Sequence, residues 1–153
     1  MCIRDSYYLE HIVLCLSDGL LAQCGIDLDT HRGEIASGNL SALRGCPFVL
    51  GSAEDIGGRI GRGLLRSSGV SPVSKATSEN VETLLALCEQ GVGACFCPEN
   101  LLHTALSPAQ LAHLHILPLC PEASYPICFG YLSRSYPWSV LSEFIRIARE
   151  QTA

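Results

Sequence analysis

Positive charge is scarce in this 153-residue sequence: 10 Lys and Arg stand against 15 Asp and Glu, a formal net charge of −5. Nucleic-acid modules carry a clustered basic excess, so no contact with DNA or RNA is expected of this chain. Long apolar runs are missing too. Ile12–Leu16 and Leu84–Cys88 are among the longest, far short of the roughly 18 residues a membrane-spanning helix needs, and no membrane partner is expected. Met1–Ser6 has no apolar stretch of the kind an export signal requires. It resembles translated adapter sequence, and residues 1–6 are set aside as a non-native scar, with the native N-terminus expected to be missing. The nine cysteines are about 6% of the chain, below the roughly 8–10% that marks a disulfide scaffold. Odd in number and irregularly spaced, they read as reduced thiols used as small hydrophobes in a cytoplasmic protein.

Catalytic signatures are also lacking. There is no Gly-x-Ser-x-Gly elbow and no His-Glu-x-x-His pair. Gly57–Gly63 (Gly-Gly-Arg-Ile-Gly-Arg-Gly) lacks the Gly-x-Gly-x-x-Gly order and no Gly-Lys-Ser/Thr follows, so it reads as a glycine-rich helix held close against a neighbour. Cys95 and Cys97 share a strand face, as do His113 and His115, with His103 near in sequence. Neither set supplies the three or more convergent ligands of a metal site. No metal, cofactor or catalytic residue is expected, and the chain is read as no enzyme.

What remains is a chain with 48% apolar residues, enough for the core of about one domain. His11–Leu16 reads as a strand ended by the turn residues Ser17-Asp18-Gly19. Residues 23–39 read as a loop, with one short helix at Leu40–Leu43. Phe48–Leu50 is a strand and Asp55–Ser67 a helix, with Ile56, Ile60 and Leu64 on one face and Arg59, Arg62 and Arg66 on another. Gly69 and Pro72 stop it. Val73–Thr77 is a strand, and Ser78 the expected N-cap of a helix with Glu79 and Glu82 in its first turn. That helix carries Val81, Leu84, Leu85 and Cys88 as its buried stripe. Val92–Cys97 is an unbroken apolar strand, the mark of a sheet covered on both faces. Pro98 suits the first position of a short helix over Glu99–Thr104. Leu114–Leu117 and Pro126–Leu132 are strands, and Pro137 opens a last helix, capped by Ser135 or Tyr136 and buried through Leu141, Phe144, Ile145 and Ala148. The order β-α-β-α-β-α-β-β-α implies an open α/β sheet.

Three junctions carry polar or turn residues where a strand hands over to a helix: Gly51-Ser52-Ala53-Glu54, Thr77-Ser78-Glu79 and Cys97-Pro98-Glu99. In open α/β sheets ligands bind outside the carboxyl ends of the strands, and helix N-termini there favour anions. Glu54-Asp55 reads as the solvated start of a helix rather than as paired catalytic acids.

Asn80–Glu99, with its helix, Gly91-Val92-Gly93 turn and apolar strand finished by Pro98-Glu99, resembles the effector-binding domain of LysR-type transcriptional regulators. Leu43–Leu50 is similar to the family's strand start around Pro47-Phe48-Val49-Leu50. Arg66–Pro72 is similar to its helix exit, Ile12–Leu21 to the strand leading into the second lobe, and the Leu141, Phe144 and Ile145 helix to its terminal helix. The likeness runs from Leu9 to Glu150. It implies a type-2 periplasmic-binding-protein-like fold, an open mixed sheet flanked by helices, with two lobes around a cleft. Residues 7–16 would be one crossover strand, 17–128 the second lobe, and 129–153 the return crossover and terminal helix, without the winged helix-turn-helix and most of the first lobe. Carried over by position, the resemblance implies that Ser52, Ala53, Glu54, Ile56, Thr77, Ser78 and Pro98 line the cleft and bind a small effector, an anion such as a carboxylate. It also implies a bacterial, cytoplasmic regulator that is a homodimer or tetramer at full length, with the Ile56–Ser67 helix at the dimer interface. Glu54 and Asp55 depart from the pattern, since acids there repel an anion unless they turn to solvent. The alternatives are a stand-alone solute-binding module and a small α/β enzyme.

Overall fold

The computed structural model describes residues 2–132 and 139–150. The chain divides into two compact units: residues 11–124, and residues 1–10 together with 125–153.

The larger unit is built on the second part of β1 (Cys2–Ser17), where Ile12–Leu16 is buried at every residue. The turn expected after it is a helix start. Ser17 Oγ accepts the Leu20 N–H at 3.4 Å and caps α1 (Asp18–Cys24), which ends at Gly25 in the left-handed region, φ 64°. Residues 23–39 are not a loop. Asp27 caps α2 (Leu28–Ala36) by accepting the Asp29 N–H at 3.1 Å. This helix buries only Leu28 and Ile35, too sparse an apolar period to read from sequence; its cap is the legible signal. A 3-10 turn, Ser41–Leu43, replaces the short helix expected at 40–43.

The strands and helices that follow are β2 (Pro47–Leu50), α3 (Ile56–Ser67), β3 (Val73–Thr77), α4 (Val81–Glu89), β4 (Cys95–Pro98), α5 (Glu99–Ala105), α6 (Pro108–Leu111) and β5 (Leu114–Pro118). Two expected caps move. Asn80, not Ser78, caps α4, accepting the Thr83 N–H at 2.9 Å, and Glu79 falls outside the helix. Pro98 is the last residue of β4 and the N-cap of α5 rather than its first helical residue. The α6 helix has no apolar period to announce it; a capping box between Ser107 and Gln110 starts it, which lets four residues hold a turn.

β2 and β3 pair in parallel, Leu50 opposite Thr77. β1 lies antiparallel between β4 and β5. The two ladders join where Val49 N–H donates to Ala94 O and Ala94 N–H to Pro47 O, both 2.9 Å, through a parallel bridge between Phe48 and Ala94. The strands therefore follow one another as β3-β2-β4-β1-β5. Both faces are covered, as the apolar run of β4 requires. On one, Val13, Cys15, Val49, Cys95 and Cys97 pack with Leu84, Leu85 and Cys88 of α4 and Leu102 of α5. On the other, Phe48 and Phe96 stack with ring centres 6.0 Å apart.

That second face is covered by α3 in an unexpected way. The residues it buries are Gly57, Gly58, Gly61 and Leu65, while Ile56 is 39% exposed and Ile60 and Leu64 are half-buried. A Cβ on Gly61 would overlap the Phe96 ring, and one on Gly58 would overlap Ser52 O. The glycines let the helix backbone sit directly on the sheet, so the close packing read from the sequence is present, on the glycine side of the helix.

In the smaller unit, β6 (Ser124–Leu132) pairs with β1, and α7 (Ser139–Glu150) sets Phe144 edge-on to Phe129 at 5.1 Å. Ala148 is buried, Leu141 and Ile145 are half-buried, and Phe144 is 51% exposed, so it is not part of a buried stripe. The expected helix start at Pro137 and its caps Ser135 and Tyr136 lie outside the described residues.

Candidate functional site

β3, β2 and β4 run parallel and adjacent, so their carboxyl ends share one edge of the larger unit. All three polar junctions read from the sequence lie there. Leu50 stands opposite Thr77, and the Ser78 N–H donates to Leu50 O at 3.1 Å, tying the second junction to the first. Pro98, paired with Ile12, ends the neighbouring strand.

The first junction is a tight, self-bonded loop. Ser52, half-buried, accepts the Asp55 N–H on its Oγ at 3.2 Å. Ala53 and Glu54 are exposed, and Ile56 opens α3. Asp55 does not simply point to solvent. Its Oδ2 accepts the Gly58 N–H at 2.8 Å, so a carboxylate of the chain itself occupies the positive end of α3. Arg62, which the sequence placed on a different face from Ile56, Ile60 and Leu64, reaches back from the next turn. Its Nη1 donates to Gly51 O at 2.6 Å and to Gly58 O at 3.4 Å, holding the end of β2 against α3. Sequence alone hid this role; the one available signal was an Arg four residues after a glycine in the first turn of a helix.

The second junction differs in its cap and in commitment. Ser78 Oγ accepts the Asn80 N–H at 3.1 Å and is spent on the turn. Thr77 is exposed at the end of β3, and its hydroxyl has no partner among the described residues. A neutral Asn80 caps α4. The shared edge is therefore acidic at Glu54 and Asp55 of the first junction and at the exposed Glu79 of the second, where Thr77 adds a hydroxyl with no partner among the described residues. The third junction contributes the half-buried ring of Pro98.

The clusters weighed for metal binding have other partners. Cys95 and Cys97 face the core, with Cys15 Sγ 3.5 Å from Cys97 Sγ. The Cys95 thiol is pushed well up by hydrogen bonds to Cys15, Cys88 and Cys97 and by burial. For Cys15 the Cys95 bond pulls down, but the bond to Cys97 and burial outweigh it. His115 Nε2 lies 2.6 Å from Asp18 Oδ1, and His113 Nδ1 3.9 Å from Asp18 Oδ2. Among the described residues no three His, Cys, Asp or Glu side chains converge as metal ligands, and no helix is long and apolar enough to cross a membrane.

The sequence model of the LysR substrate binding domain matches residues 6–153. Among solved structures, the chain is similar to the CcmR regulatory domain of Synechocystis PCC6803, determined in complex with 2-PG, at TM-score 0.72 and 12% identity over 99% of this chain and 67% of that one. It is similar to the effector binding domain of QuiR in complex with shikimate, at TM-score 0.67 and 12% identity over 99% of this chain and 65% of that one. It is also similar to HinK, a LysR family transcriptional regulator of Pseudomonas aeruginosa, at TM-score 0.70 and 16% identity, where it spans 49% of the regulator's length. No curated protein matches the chain in sequence. The fold is the periplasmic-binding-protein-like one of these regulatory domains, and the chain belongs to the LysR substrate binding domain family.

Proposed function

We propose that this chain is the second lobe of the effector-sensing part of a LysR-type regulator of the bacterial cytoplasm, with residues 7–16 and 129–132 as crossover strands and α7 as the terminal helix. The spans of 67% and 65% of two regulatory domains support this reading. The full regulator would act as a homodimer or tetramer, and DNA contact would lie outside this chain. The family is one of regulatory domains, and no catalytic role is assigned to any residue.

The observation that carries the reading is the junction edge. Ser52, Ala53, Glu54, Ile56, Thr77, Ser78 and Pro98 belong to three parallel strand ends, the place where open α/β sheets bind ligands. The two junctions differ in which helix cap is charged and which hydroxyl is uncommitted, and this orients the ligand. Asp55 already neutralises the α3 terminus and Glu54 adds a second negative charge, so a carboxylate is repelled there. Thr77, with an uncommitted hydroxyl beside the neutral Asn80 cap, is where the anionic group of a small effector sits. Hydroxyls of the effector then face Ser52. Two of the similar regulatory domains were determined with 2-PG and shikimate, which supports small oxygen-rich effectors.

The test is a thermal-shift screen of the intact regulator against small carboxylates, shikimate among them. A ligand that binds only the folded state raises its stability. At least one carboxylate should raise the Tm, and Thr77→Val should abolish most of that rise. No stabilisation by any compound, or full stabilisation of the Thr77→Val variant, would sink the assignment.

A further inference from the structure

We propose a second anion site on this chain, separate from the junction edge: a cavity of about 350 Å³ lined by Arg62, Arg66, Gly69, Val70, Ser71 and Pro72, built to take a phosphate or carboxylate group. Its size is at the small end of ligand pockets, which run from about 300 to 1,000 Å³.

The charge distribution points to it first. The chain is acidic overall, yet residues 44–78 hold five basic residues (Arg44, Arg59, Arg62, Arg66 and Lys75) and two acidic ones, Glu54 and Asp55. Asp55 is spent on capping α3. Neither Arg62 nor Arg66 has an ion-pair partner among the described residues. Arg44 comes close as well: its Nη2 lies 3.9 Å from where a Cβ on Gly69 would be. Guanidinium groups brought together without carboxylates repel one another, and a bound oxyanion relieves that repulsion through forked hydrogen bonds.

Donor supply is the second argument. Among the described residues Arg62 uses only Nη1, which leaves the rest of its five N–H donors. Arg66 makes no side-chain bond among the described residues. Ser71 adds a hydroxyl with no partner there. The acceptors that would oppose an anion are already occupied. The last carbonyls of α3 receive protein donors, Leu64 O from the Ser68 N–H, Leu65 O from the Val70 N–H and Arg66 O from the Gly69 N–H, at 3.1, 2.9 and 3.0 Å. The negative end of the helix is thus blunted where the arginines gather. Arg62 also grips Gly51 O, so an anion drawing on its guanidinium reports directly to the loop that carries Ser52.

The experiment titrates the 153-residue chain with orthophosphate and, separately, with succinate, at ionic strength matched with sodium chloride, following arginine Nε–H signals by NMR. Saturable one-to-one binding of at least one anion is expected, and the tighter of the two identifies the chemical source. Arg66→Gln, on an exposed side chain, should weaken binding about tenfold or more, as the loss of a charge-assisted contact does. Arg62→Gln should do the same, and Arg32→Gln on α2 should leave affinity unchanged. Absence of saturation by either anion, or undiminished binding in both the Arg66→Gln and Arg62→Gln variants, overturns the proposal.

Discussion

Gly61 lies against the Phe96 ring with no space between them for a single methyl group. Alanine here gains roughly 1 kcal/mol of helix propensity but forces overpacking that costs about 1–3 kcal/mol. Gly61→Ala should therefore lower the urea midpoint, and Gly61→Val should lower it further. Gly63, two residues on, has open space where a Cβ would stand, with no atom within 4 Å, and Gly63→Ala should raise the midpoint. Equal effects at the two positions would refute this account of α3.

The Asp55 cap makes a paired prediction. Asp55→Ala should cost about 1 kcal/mol, within the usual range for losing an N-cap, read from chemical denaturation. Asp55→Asn keeps an equally good cap and should leave stability nearly unchanged. Because it removes a negative charge from the junction edge, it should also tighten binding of any carboxylate effector, measured by the same thermal shifts.

Alkaline pH should destabilise the fold in a definite window. Burial, reinforced by the neighbouring Cys24 thiol, pushes Cys46 from 9.0 up to about 12. The unfolded chain loses this proton first, so between those two values the folded state binds more protons and stability falls as pH rises. The contribution is fully present below pH 9 and is lost through pH 12. Cys46→Ala should flatten that part of a stability-against-pH curve measured by denaturant titration.

Thiol labelling should be graded by depth. Cys24, Cys120 and Cys128 are partly accessible, whereas Cys15, Cys88, Cys95 and Cys97 are buried. Iodoacetamide followed by peptide mass spectrometry should modify the first group in the native chain and the second only after unfolding. Early modification of Cys95 or Cys97 would contradict the packed face described above.

The strands were legible from the short apolar run Phe48–Leu50 and the weak alternation of Val73–Thr77, which emerge within a residue, whereas the run Val92–Cys97 becomes a strand only over Cys95–Pro98. The position of the junction residues was legible too, since strand ends are marked by Ser, Thr and Pro. What stayed hidden depended on distance or on scarce signals. Residues 23–39 hold two helix segments whose burial rests on a few side chains, and only Ser17 and Asp27 announce them. The inner face of α3 could not be read from hydrophobicity because its contacts are made by glycines, which carry no hydrophobic signal. Arg62 on Gly51 O and Cys15 beside Cys97 are pairings that only the tertiary fold brings together.

The sulfur-rich face has a consequence for how the molecule is made. Four thiols that are sheltered in the finished protein are all exposed in the newly synthesised chain, near one another in no fixed order. Until β1 and β4 have paired, any oxidant can join them, or join them to Cys24 or Cys46, in combinations that forbid the sheet. Refolding yield should thus depend on the presence of a reductant during the seconds of assembly and hardly at all once assembly is complete, which makes the native fold the guardian of its own reduced state.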